Sequence, residues 1–219
     1  MLLPIRDENR SLTTPHLTRL ILALNIVLFS VYWLSVTNTF LDNSLANLIE
    51  QNFIMIPNKI THEHLFYTLF TSMFMHANWA HLLGNMLYLY IFGDNVEDAF
   101  GHTGYLIFYI ACGLAATFAH IMSLATPSEF AMGVLGASGA ISGILGAYLV
   151  LYPRAKILTL VFFVWPRIVS IPAIGFLIFW FIMQWLYGFL EIESGVAYWA
   201  HIGGFVAGMI LALIFARRK

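Results

Sequence analysis

The sequence predicts an all-α polytopic membrane protein: six transmembrane helices with the N- and C-termini both cytoplasmic. Three observations lead to that fold class. Of the 219 residues, 60% are hydrophobic and only 10% charged, and mean hydropathy is +0.82, whereas soluble domains run at about 25% charged and 45–50% apolar. Several windows approach the ~20 apolar residues that cross a hydrocarbon core of ~30 Å at ~1.5 Å per residue. Drawn as six spans, the chain also sorts its basic residues to one side, as the positive-inside rule requires.

A short cytoplasmic segment, residues 1–16, precedes the first span, Leu17 to Val36. That span is too long for a signal-peptide core and lacks an obvious small-residue cleavage site, so it is expected to stay as an anchor. Asp7 and Glu8 count against an organellar transit peptide, leaving a bacterial or archaeal plasma membrane as the expected address. A long outside connection follows between Phe40 and Ala80, with Pro57, Asn58 and Lys59 in its middle and Phe66, Tyr67, Phe70 and Phe74 beyond. Connections of that length in a compact protein are usually functional or partly structured.

The second span, His81 to Asp98, closes on Asp94, Glu97 and Asp98, expected as a solvated helix end, and the third runs from Gly104 to Leu124. The fourth, Ser138 to Tyr152, is short at fifteen residues, about 22 Å of helix. With its inner end held at the interface by Arg154 and Lys156, Ser138 starts several ångströms below the outer surface. The apolar run Ile157 to Trp165 is too short to span and is expected at the interface. The fifth span is Ile168 to Leu190 and the sixth Tyr198 to Ala216, so residues 17–216 form the membrane domain and 217–219 a basic cytoplasmic tail.

With the N-terminus inside, Arg6, Arg10, Arg19, Arg154, Lys156, Arg167, Arg217, Arg218 and Lys219 fall inside, and only Lys59 falls outside. The outside face receives Asp42, Glu50, Glu63, Glu129, Glu191 and Glu193. A net charge of −1 with no basic block argues against nucleic acid as a partner. Cys112, the single cysteine, excludes an intrachain disulfide. There is no internal repeat.

Polar side chains within spans are costly unless partnered, so the few present carry the functional argument. Ser138 stands in Gly136-Ala137-Ser138-Gly139 at the mouth of the fourth span, and His201 opens the sixth in Ala200-His201-Ile202-Gly203-Gly204. His81 and Asn85, one turn apart on one face, enter the second span after His76. In the orientation above these groups converge near the outer ends of their helices.

Gly139, Gly143 and Gly146 on one helix, with Gly204 and Gly208 on another, let two backbones approach closely. His201, Gly204 and Gly208 share a stripe, so packing that stripe on the fourth helix carries the imidazole against Ser138, within reach of a general base. First-turn N–H groups of Ser138 and Gly139 favour negative charge and suit an oxyanion, with His81 and Asn85 as further donors. No acid lies near His201 in sequence, so the residues point to a Ser-His dyad that hydrolyses peptide bonds inside a membrane.

Together these residues resemble the rhomboid family of intramembrane serine proteases, and the likeness covers most of the chain. The resemblance implies a six-helix rhomboid-like bundle with Ser138 as nucleophile and His201 as general base. It assigns His81, Asn85 and the Ser138 amide to the oxyanion site, with His76 supporting them. It also implies single-pass membrane proteins as substrates within the lipid bilayer, and no metal, nucleotide or other cofactor. The fifth helix, rich in aromatics including Phe176, Phe179, Trp180 and Trp185, is implied as a lateral gate. Where many members carry Trp-Arg in the long loop this chain reads Tyr67-Thr68, and Ser142 stands where some place a tyrosine against the imidazole.

Each feature alone has a plainer reading: a glycine-flanked serine packs helices, and His16, His62, His64, His102 and His120 read as interfacial. No His-Glu-x-x-His motif supports a metalloprotease, and inverted repeats expected of a transporter are missing. The alternative function is a catalytically silent rhomboid-like protein that binds membrane helices for quality control or trafficking. Such relatives usually lack the serine or histidine, and this chain has both.

Overall fold

The computed structural model describes residues 2–37, 43–162, 165–190 and 195–216. The expected basic tail of Arg217, Arg218 and Lys219 lies outside them, as do Asp42, Glu191 and Glu193. The chain opens with strand β1 (Leu2–Asp7) and helix α1 (His16–Val36). Short helices α2 (Asn43–Phe53), α3 (Pro57–Glu63) and α4 (Thr68–Thr71) follow, the last running into a 3₁₀ turn at Ser72–Phe74. Next come α5 (Trp79–Phe100), α6 (His102–Ser123), α7 (Pro127–Phe130) and α8 (Ser138–Leu151). Strands β2 (Lys156–Val161) and β3 (Arg167–Pro172) lead to α9 (Ala173–Leu190) and α10 (Tyr198–Phe215).

Four of these helices, α1, α6, α9 and α10, are long and apolar enough to cross a membrane. Helix α8 is apolar but only 14 residues long, and α5 has 22 residues with Asp94, Glu97 and Asp98 gathered in its last two turns. Asn78 starts α5 by accepting the His81 backbone N–H on its side chain at 2.9 Å. Gly101, at φ +71°, ends α5 and begins α6, a left-handed conformation that glycine adopts without strain.

Helix α10 occupies the middle of the bundle, packed on α8 and α6. A Cβ on Gly204 would fall inside the Gly139 carbonyl, one on Gly208 inside the Gly143 carbonyl, and one on Gly146 inside the Phe205 carbonyl. The two backbones touch because three glycines alternate across the seam. Around it are buried Leu89, Phe92, Tyr109, Ile144, Tyr148 and Phe205, while Val27, Ile107, Phe118, Ile210 and Phe215 point outward. An apolar outer surface of this kind is what lipid solvates.

The all-α expectation needs correction at one end of the bundle, where β1, β2 and β3 form an antiparallel sheet in that order. The run from Ile157 expected at the interface is strand β2. The segment Ile168–Pro172 is strand β3 rather than the start of the fifth helix, which begins at Ala173. β-Branched Ile168, Val169 and Ile171 suit a ladder, and Pro172, without an N–H, ends it.

Half-buried polar contacts fasten the N-terminal segment to the bundle. Asp7 Oδ2 accepts from Tyr148 at 2.6 Å and from Asn95 Nδ2 at 3.0 Å, and Asn9 Nδ2 donates to Asn95 Oδ1 at 2.6 Å. Glu97 also departs from the expected solvated helix end, being 0% exposed. Its carboxylate accepts from the Leu17 and Thr18 N–H groups, the Thr18 hydroxyl and His102 Nδ1. It therefore caps the N-terminus of α1, where the unpaired amides and the helix dipole favour an anion. His102, expected as an isolated interfacial group, belongs to this cap.

Two outcomes are expected. Gly208→Val inserts a side chain where the Gly143 carbonyl stands; the clash should cost about 1–3 kcal/mol or more, read as a lower melting temperature in detergent. Burial pushes the Asp7 carboxyl from 3.8 up to about 6, against the hydrogen bond from Tyr148, which lowers it. A raised carboxyl contributes stability that is full below 3.8 and lost as pH rises through about 6. Asp7→Asn should flatten that part of the melting-temperature profile, and an unchanged profile would exclude this carboxyl as its source.

Candidate active site

Ser138 is the first residue of α8, and its Oγ lies 2.8 Å from His201 Nε2 on the first turn of α10. The glycine seam produces this meeting, since Ser138 directly precedes Gly139 and His201 stands one turn before Gly204, whose Cβ would meet the Gly139 carbonyl. At 2.8 Å an imidazole nitrogen and a hydroxyl are within the ~2.6–3.2 Å that proton transfer requires. Both residues are half-buried.

The loop entering α8 is pinned before it reaches the serine. Val134 pairs with Met55 as an isolated antiparallel bridge, with N···O distances of 2.8 and 3.3 Å, and the Gly136 N–H donates to the Ser72 carbonyl at 2.9 Å. The long connection from α1 to α5 thus holds the loop that leads into Ser138. Non-helical backbone in an apolar bundle needs a protein partner for its polar groups, which this connection supplies. Gly136 has φ +128°. A Cβ there would lie 2.7 Å from His81 Nε2 and 3.7 Å from Ser138 Oγ, so imidazole and hydroxyl face each other across a glycine.

Asn85 donates through Nδ2 to His76 Nε2 at 3.0 Å, both side chains being buried. The His76 ring meets the His81 ring at 5.0 Å with a 66° tilt. His76 therefore links the two α5 groups into one cluster. Ser138 and Gly139, lying in the first turn of α8, have no carbonyl four residues back within their helix, so their N–H groups point from the helix start.

The 63-residue separation in sequence between Ser138 and His201 is closed by helix packing, as is the gap to His76, His81 and Asn85. Ser142 turns away from the imidazole: its Oγ donates to the Ser138 carbonyl at 2.7 Å. Two α9 side chains that the sequence reading did not assign to the site stand beside His201. Gln184 Oε1 lies 2.8 Å from His201 Nδ1, and the Trp180 ring is 6.1 Å from the imidazole, tilted by 36°. The signal for Gln184 was available, since it is a lone amide among the aromatics of an apolar span. Gln184 and Trp180 also line a cleft of about 350 Å³ between α9 and Tyr88 of α5, which reaches Leu2 of β1.

A family model described as the Rhomboid domain matches residues 63–218, most of the chain and all of this cluster. The chain belongs to the rhomboid family. It is 29% identical over 200 residues to the rhomboid protease GluP of Bacillus subtilis, covering 90% of this chain and 34% of that protein. It is 27% identical over 200 residues to the mitochondrial Rhomboid protein 1 of Saccharomyces cerevisiae, covering 89% of this chain and 52% of that one. RHOMBOID-like protein 2 of Arabidopsis thaliana is 32% identical over 169 residues, 73% of this chain and 45% of its own length. The chain thus spans about a third to a half of the length of these curated rhomboid relatives. Chloroplastic and mitochondrial names stand beside the bacterial one, so a bacterial or archaeal plasma membrane gains no support from them.

Gly136→Ala should place a methyl against His81 and force a backbone conformation that L-residues rarely adopt. A strain of about 1–3 kcal/mol is expected, with reactivity at Ser138 falling more than thermal stability; equal melting and equal reactivity would contradict this account of the glycine.

Proposed function

We propose that this rhomboid is an intramembrane serine endopeptidase that uses a Ser138–His201 dyad to hydrolyse peptide bonds in or next to transmembrane segments of single-pass membrane proteins. The observation that carries the reading is the 2.8 Å contact between Ser138 Oγ and His201 Nε2, beside an array of donors. In the first step Ser138 Oγ attacks the scissile carbonyl carbon while His201 Nε2 takes the hydroxyl proton. The carbonyl oxygen becomes an oxyanion, for which the Ser138 and Gly139 N–H groups, His81 and the Asn85 N–H not given to His76 are the donors. Such an array is worth most in a site with little water, and removing one donor costs about 10²–10³ in turnover.

Collapse of the intermediate breaks the C–N bond, and His201 returns its proton to the leaving amine. Water then attacks the acyl-enzyme, with His201 again as base, releasing the carboxylate product and restoring the serine hydroxyl. Six spans fit this reading, formed by α1, α5, α6, α8, α9 and α10, within a membrane domain of residues 17–216. Both termini and the sheet are cytoplasmic, since the sheet gathers Arg6, Lys156 and Arg167. At 14 residues, or about 21 Å, α8 then leaves Ser138 below the outer surface but open to water. The lateral cleft between α5 and α9 is the route by which a substrate helix arrives.

The test is covalent labelling of the purified protein in detergent by a fluorophosphonate probe. Labelling of the unaltered chain, lost in both Ser138→Ala and His201→Ala with melting temperatures nearly unchanged, is the expected outcome. Undiminished labelling of Ser138→Ala would overturn the mechanism. A folded protein that takes no label would favour a silent helix-binding rhomboid.

A further inference from the structure

We propose that Gln184 is the positioning residue that fixes the tautomer of His201, tying the base on α10 to the seat of helix α9. The inference deepens the dyad reading and rests on it for its catalytic consequence, while its structural content can be read independently.

The hydrogen bonds define the arrangement. Gln184 is only 7% exposed, and its Nε2 donates to the Trp180 carbonyl at 3.4 Å. A carbonyl only accepts, so the NH₂ end of the amide belongs on that side and the oxygen faces His201 Nδ1 at 2.8 Å. An amide oxygen likewise only accepts, so Nδ1 carries the imidazole proton and donates it to Gln184. A neutral imidazole has one N–H; with it at Nδ1, Nε2 presents a lone pair to Ser138 Oγ at 2.8 Å. In the opposite tautomer, an Nε2–H would point at the serine and could not take its proton.

The same orienting task falls to a carboxylate in the Ser-His-Asp arrangement. Here a neutral amide performs it, which suits a low-dielectric surrounding where an unpaired carboxylate would be costly to bury. Nothing on α8 substitutes for it, since the Ser142 hydroxyl is committed to the Ser138 carbonyl. Trp180, one turn before Gln184, places its ring 6.1 Å from the imidazole on the same side.

Gln184 also forms part of the wall of the cleft between α9 and α5. A helix lodged in that cleft touches the residue that orients the base. Displacing α9 outward would withdraw Oε1 and release the tautomer, whereas α9 seated on the bundle restores it. Base competence therefore depends on the position of α9 as well as on the α8–α10 seam.

The test uses the full chain in detergent with isotope-labelled histidine, and reads the nitrogen chemical shifts of His201, identified by comparison with His201→Ala. The unaltered protein should show Nδ1 protonated and Nε2 bare. Gln184→Leu, similar in size but without an acceptor, should mix or reverse that pattern and slow fluorophosphonate labelling by about 10–100-fold. Gln184→Glu, which keeps an acceptor oxygen, should retain protonated Nδ1 and so distinguishes loss of the bond from loss of folding. An unchanged nitrogen pattern in Gln184→Leu overturns the proposal, as does protonated Nε2 in the unaltered protein. If the pattern depends on Gln184 but the unaltered protein takes no label, the positioning stands and the dyad reading fails.

Discussion

The site depends first on how closely α8 and α10 approach. In a membrane there is no hydrophobic drive between helices, because lipid chains are as apolar as leucine, so association rests on packing and on polar contacts. Gly204 against the Gly139 carbonyl, Gly208 against the Gly143 carbonyl and Gly146 against the Phe205 carbonyl allow the two backbones to touch. A side chain at any of them would push the axes apart. Ser138 and His201 stand at the end of this seam, and a proton-transfer distance of 2.8 Å leaves no room for such a displacement.

Close packing alone would leave polar groups stranded in an apolar bundle. The structure answers this at the site and at the α1 cap by giving key groups a partner from a different element or turn. His201 has Ser138 on one nitrogen and Gln184 on the other, Asn85 has His76, and Glu97 takes three donors from the start of α1 and a fourth from His102. These bonds supply direction, which glycine packing does not. The seam sets a distance, and the polar pairs set which atoms face each other across it.

The two ends of the bundle are held differently. At one end the α1–α5 connection grips the loop before Ser138 through Met55 and Ser72. At the other, β1 is tied by Asp7 to Tyr148 of α8 and to Asn95 of α5. Helix α8, 14 residues long, is thus held at both ends, by the connection at its start and by β1 at Tyr148. Helix α9 instead follows the sheet directly from β3 and meets the bundle chiefly along α10, so its seat has fewer independent constraints.

Composition and periodicity were enough to read the membrane class, the long helices and the glycine stripes, because lipid imposes apolar length on every span and close packing demands small residues at fixed spacing. Ser138, His201, His81, Asn85 and His76 stood out for the same reason, as polar groups in an apolar solvent. What the sequence could not supply was pairing between distant segments. Strand β1 gains its identity from β2, some 150 residues away, and a six-residue run with Pro4 in it carries no such signal. Glu97 looked like a surface group because its partners lie on α1 and on His102. Gln184 was visible only as an amide among aromatics until α9 packed beside α10 and brought its oxygen to His201. Periodicity reports which face of a helix is apolar, whereas a hydrogen bond between helices depends on their relative rotation and depth, and these are decided only when all the helices pack together.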